Sequence, residues 1–195
     1  MSESRVTTGD VDGSTPPPDG QGLPASDGPE TGARSLRLAW WTMAAIVVAD
    51  QLTKWLVVEF IPVFSSVTVI PHVLDLVNVR NTGIAFGFLN DLNHAWQSGM
   101  TTTLALLALA GIVYYAMHLG PEEHRARFGL SLILAGAVGN LIDRARQGYV
   151  VDFVDVYWRD WHFWAFNVAD SAISIGAVLI LLDLILPARH VSNPV

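Results

Sequence analysis

Residues Gly136–Ser174 read GAVGNLIDRARQGYVVDFVDVYWRDWHFWAFNVADSAIS. An apolar run, a polar patch, an aromatic connection and a second apolar run follow one another. The patch holds Asn140, Asp143, Arg144, Asp152, Asp155, Asn167 and Asp170. Ionisable groups between apolar runs of membrane grade need partners or water, and so mark a functional site by default.

Working outward, the composition points to a bilayer as the main solvent. The chain has 195 residues, 51% of them hydrophobic and 15% charged. The net charge of −7 overstates the acidity of the body. Glu3, Asp10, Asp12, Asp19, Asp27 and Glu30 all fall in the N-terminal stretch. No basic stripe suggests a nucleic-acid partner. Cysteine is absent, which excludes disulfides, thiolate metal sites and a cysteine nucleophile. The six His are scattered and no HExxH occurs, so neither metal nor cofactor is expected.

Residues 1–33 are rich in Pro, Gly, Ser, Thr and Asp. Such a stretch buries too little apolar surface to offset ordering entropy and reads as a disordered tail. Four spanning helices are expected at about 36–58, 98–119, 126–144 and 168–186. The second has no charge from Ser98 to Leu119 and fits a crossing at 1.5 Å per residue. The third, Phe128–Ile142, is too short to cross ~30 Å, so it must run into Asp143 and Arg144 or start earlier. Residues 62–90 are rich in β-branched residues and turn formers, which suits short strands on the membrane surface. Within them, Asn78–Gly87 (NVRNTGIAFG) reads either as a polar turn or as groups that hold an extended peptide. Asp91–Gln97 reads as a surface helix or loop.

The expected fold is therefore a mainly α membrane protein: a four-helix transmembrane bundle with a small extracytoplasmic β-sheet. Residues 34–188 form the domain, and 189–195 a C-terminal tail. Four crossings put Arg34, Arg37, Arg125, Arg127 and Arg189 on one side, which the positive-inside rule makes cytoplasmic.

Within the patch, Asn167 lies three residues before Asp170 and can cap the last helix, whose N-terminus favours a negative charge there. Asp152 sits in a strand-like stretch, GYVVDF. The 17 residues between Asp152 and Asp170 are rich in aromatics, which hold them at headgroup level through Trp and Tyr, and could return Asp170 beside Asp152. Two adjacent carboxylates share a proton, one acting as base on water while the other polarises a carbonyl. Alternatively the acids merely satisfy Arg144 or Arg146. Asn140 and Arg144, i,i+4, could orient the pair or grip a phosphate. Asp143 reads as a local cap or pair, and Asp155 rivals Asp152. Asp50 and Lys54, also i,i+4, read as an ion pair at the membrane edge or a clamp beside the site. A proton-coupled carrier would want polar groups at the midplane; here they cluster toward helix ends.

At these residues the chain resembles lipoprotein signal peptidases (signal peptidase II), over roughly 36–187. The similar blocks are D-Q-x-x-K at Asp50–Lys54, N-x-G-x-A-F at Asn81–Phe86, G-N-L-x-D-R at Gly139–Arg144, V-V-D-F at Val150–Phe153 and F-N-x-A-D-S at Phe166–Ser171. The resemblance implies a membrane aspartic endopeptidase with Asp152 and Asp170 as catalytic dyad. It implies Asp50, Lys54, Asn81, Gly83, Asn140, Arg144 and Asn167 as supporting or substrate-binding residues. It further implies a diacylglyceryl-prolipoprotein substrate cut before the lipidated Cys, contact with membrane lipids, inhibition by globomycin-type peptides, and a location in the cytoplasmic membrane with the site on the outer face. A monomer is expected.

Overall fold

The computed structural model describes residues 29–83, 94–120 and 123–186. Four helices, α1 (Pro29–Phe60), α2 (His94–His118), α3 (His124–Gln147) and α4 (Val168–Ile185), accompany four strands, β1 (Ser66–Ile70), β2 (Leu74–Asn81), β3 (Val150–Trp158) and β4 (Trp161–His162). The strands form one antiparallel order, β1-β2-β3-β4.

Three of these helices are long and apolar enough to cross a membrane, by length and composition: Gly99–His118, His124–Gln147 and Val168–Ile185. Helix α1 is the longest, and its second half carries Asp50, Gln51, Lys54 and Glu59. The expected tail of 1–33 lies outside the described residues up to 28; its last five positions already belong to α1, whose first residue is Pro29, the position where a missing N–H costs nothing. Residues 84–90 of the expected strand region, 91–93 and the 189–195 tail also lie outside the described residues. Residues 94–97, expected in a separate surface element, are continuous with α2.

Helix α3 is the hub. Ala126, Gly129, Leu130, Gly136, Gly139, Asn140 and Asp143 are buried along it. Glycine lets α4 come close: a Cβ on Gly129 would lie 2.8 Å from the Gly176 carbonyl oxygen, and one on Gly136 would meet that of Ala169. The helix does extend through Asp143 and Arg144, ending where Gly148 adopts φ 79°, a left-handed cap that suits glycine. Two residues later β3 begins. Its run VVDFVDVYW is β-branched and aromatic, which favours a pleated, half-buried strand. The connection expected between Asp152 and Asp170 is thus about half strand. β3 pairs with β2 on one side, and on the other the return segment follows it through β4 and a Val154–Phe166 bridge.

Candidate active site

Helix α4 starts at Asn167, whose Oδ1 accepts the Asp170 N–H at 2.9 Å while Asp170 Oδ2 accepts the Asn167 N–H at 3.3 Å. This reciprocal capping box satisfies two otherwise orphan donors. It also decides the rest of Asn167. With its oxygen engaged, its NH2 points the other way and donates to Asp152 Oδ1 at 2.7 Å. One fully buried side chain thereby holds both acids.

A second amide is oriented from α1. Lys54 Nζ donates to Asn140 Oδ1 at 2.9 Å, which turns the Asn140 NH2 toward Asp170 Oδ1, 2.8 Å away. A third is set by backbone. Gly83, at φ 85°, donates its N–H to Asn81 Oδ1 at 2.7 Å, and the Asn81 NH2 donates to Asp152 Oδ2 at 2.8 Å. Left-handed φ suits glycine, and a Cβ on Gly83 would lie 2.8 Å from Thr101 Cγ2. A bulge in β2 between Leu76 and Val79 puts Val79 opposite Asp152, so Asn81 is its diagonal neighbour on the same face.

Behind the acids lies a buried ionic network. Lys54 is 2.9 Å from Asp50 Oδ2 and 3.0 Å from Asp143 Oδ2. Asp50 Oδ1 accepts the Ala169 N–H, Asp143 accepts from Gln51 Nε2 and the Val151 N–H, and Gln51 also donates to the Gly139 carbonyl. The Asp50–Lys54 pair is buried inside the protein as a clamp: their side chains are 0% and 4% exposed. Asp143, expected to cap or pair locally, instead joins α1 to the start of β3.

Asp155 does not compete with Asp152. Residues three apart on a strand point to opposite faces, and Asp155 pairs with His162 Nδ1 at 2.8 Å. Arg144 feels the charges of Asp170, Asp152 and Asp143, and its Nε is buried without a hydrogen-bond partner among the described residues. Burial pushes the Asp152 carboxyl up to about 6; the Asn81 hydrogen bond opposes this and the neighbouring Asp170 charge adds to it. Sequence reasoning did not single out Gln51, though it sits inside the D-Q-x-x-K block.

Of the residues expected at the site, Asp50, Lys54, Asn81, Gly83, Asn140, Asp152, Asn167 and Asp170 join one hydrogen-bonded network, with Arg144 within its electrostatic reach. The arrangement is two oriented carboxyl groups, one of them with a raised proton affinity, where α4 meets the sheet.

The model for the family described as Signal peptidase (SPase) II matches residues 42–186. The chain belongs to the signal peptidase II family. A lipoprotein signal peptidase of Solibacter usitatus is 46% identical over 162 residues, 81% of this chain and 97% of that protein. One from Geobacter metallireducens is 43% identical over 150 residues, 77% of this chain and 91% of its own. A solved bacterial membrane enzyme superposes with TM-score 0.67 at 30% identity, covering 84% of this chain and 94% of that one. For a signal peptidase II, apolar helices around a polar cluster are the expected setting.

Proposed function

We propose that this signal peptidase II homologue is a membrane aspartic endopeptidase that removes signal peptides from diacylglyceryl-modified prolipoproteins, cutting before the lipidated Cys. The observation that carries the reading is Asn167, which hydrogen-bonds Asp152 and Asp170 at once. In this reading Asp170, at the N-terminus of α4, takes a proton from water as the water oxygen attacks the scissile carbonyl carbon. Asp152, the acid of raised proton affinity, gives its proton to the carbonyl oxygen. The tetrahedral diol then collapses, and the C–N bond breaks. The proton on Asp170 passes to the departing amine and one hydroxyl proton returns to Asp152. The products are a signal peptide carboxylate and a lipidated Cys with a free amine.

Asp50 and Lys54 hold the Asn140 amide in register, Asn81 and Gly83 hold the other side of Asp152, and the Arg144 charge lies beside both acids. Helix α1 serves as the fourth crossing, with the sheet and both acids on the extracytoplasmic face of the cytoplasmic membrane. The support for that side is the basic start of α3, Arg125 and Arg127, at the end of the bundle away from the acids, as the positive-inside rule favours. A diacyl chain prefers hydrocarbon, so a scissile bond next to it requires acids near the lipid boundary.

The test is purified protein with a lipid-modified prolipoprotein, with and without globomycin. Asp152→Asn and Asp170→Asn are each expected to lower the rate by at least about 10²–10⁴-fold while the protein stays folded. Near-normal cleavage by either variant would remove that residue from the dyad.

A further inference from the structure

The face of β3 that points away from Asp152 carries a second group of side chains. Tyr157 is register partner to His162 across β3 and β4, and Asp75 of β2 to Asp155. Partners and diagonal neighbours two residues along share a face, so Asp75, Asp155, Tyr157 and His162 stand together. His162 Nδ1 meets Asp155 Oδ2 at 2.8 Å, and the His162 ring stacks on Tyr157 with centroids 5.0 Å apart and planes 13° from parallel. The Tyr157 hydroxyl in turn accepts the His72 N–H at 3.1 Å, from the turn between β1 and β2. Asp155 Oδ1 and Asp75 Oδ1 are buried without hydrogen-bond partners among the described residues. Like charges directly opposite on a sheet destabilise it, so the donor from His162 matters to Asp155.

The return segment from β4 to Asn167 pairs with β3 irregularly, through a short ladder and an isolated bridge. β4 has two residues and two rungs. After Phe163 N–H bonds to the Val156 carbonyl, the segment meets β3 again where Phe166 bonds Phe153 and Val154. Phe166 bridges to Val154, so three steps on the return side match two on β3. A short, irregular ladder specifies register poorly, and a slip moves every residue that follows. The residue that follows is Asn167.

We propose that Asp155 and His162 are positioning residues for the hydrolytic reaction: their hydrogen bond pins the return segment to β3 and so sets where Asn167 delivers Asp170 to Asp152. This rests on the reading of Asp152 and Asp170 as the reacting pair. Neither residue touches the acids; each acts through the strand that carries one acid and the segment that leads to the other.

The experiment compares His162→Phe, which keeps a ring on Tyr157 without the donor, with His162→Asn, which keeps a donor at the Nδ1 position without the ring. Cleavage of a lipid-modified prolipoprotein by purified protein is followed as kcat and KM. For His162→Phe, kcat falls about tenfold, since small misplacements of reacting groups cost one to two decades, with KM within about twofold. His162→Asn recovers most of that loss. Asp155→Ala matches His162→Phe, and the double variant is no worse than either single one, as for two halves of one contact. Wild-type kcat in His162→Phe, equal losses in the Phe and Asn variants, or additive losses in the double variant would overturn the proposal. Asp152→Asn and Asp170→Asn run alongside: if they stay active, the dyad reading falls and takes this one with it. If they are dead while His162→Phe is unimpaired, only the positioning role is lost.

Discussion

Replacing Lys54 by Met tests the buried clamp most directly. Lys54 is 3% exposed and its ammonium touches Asp50 Oδ2, Asp143 Oδ2 and Asn140 Oδ1 at 2.9, 3.0 and 2.9 Å. Removing it leaves two buried carboxylates without the cation they share. Breaking a buried ion pair by deleting one partner costs about 3–5 kcal/mol, because the remaining charge is uncompensated. For a chain of this size each kcal/mol moves the melting temperature by roughly 2–4 °C, so a fall of roughly 6–20 °C is expected. The assay is thermal unfolding in detergent, followed by tryptophan fluorescence. A double variant, Lys54→Met with Asp143→Asn, separates charge from packing. It removes one of the stranded charges while an amide oxygen can still accept the Val151 N–H, so it should melt above the single variant. If Lys54→Met melts within about 2 °C of the parent, or the double variant melts lower than the single one, the clamp is not what holds α1 against α3.

Three further outcomes follow from the same geometry. Gly139→Ala places a Cβ 2.6 Å from Asp50 Oδ2, and such overpacking costs about 1–3 kcal/mol, read as a lowered melting temperature. Asn167→Ser keeps an oxygen for the Asp170 N–H but loses the NH2 that reaches Asp152; cleavage should fall at least about tenfold, with a smaller further loss of stability, about 1 kcal/mol, in Asn167→Ala as the cap goes too. The Asp152 carboxyl is raised to about 6, above its unfolded value of about 3.9. The fold thus favours its protonated form, so its contribution is full below about pH 4 and lost as pH rises through about 6, at most about 3 kcal/mol. Wild-type melting temperature should therefore drop more between pH 4 and 7 than that of Asp152→Asn.

Much of this was readable in the residues. The apolar runs at 98–119 and 168–186 lie within one residue of the spans Gly99–His118 and Val168–Ile185, because strongly apolar stretches of that length have few alternatives. The cap at Asn167 was visible because capping is local. The polar clamp was less so: Asp50 and Lys54 announce a helical pair, but only packing of α1 on α3 brings Asp143 to them. The strand at Val150–Trp158 was half hidden. Its β-branched start showed, while Asp155 and the aromatic run after it resembled a connection, since the partners that accommodate them, His162 and β2, lie elsewhere in the chain. Likewise no local pattern places Asn81 on Asp152, 71 residues away.

The capping box at Asn167 has one more consequence. Asp170 owes its orientation to the first turn of α4, and Asp152 owes one hydrogen bond to the same asparagine. Until that turn is wound, the two acids have no common anchor and no fixed spacing. On the proposed dyad, a newly made chain still threading into the bilayer would be chemically silent, and hydrolytic power would arrive only with the finished bundle.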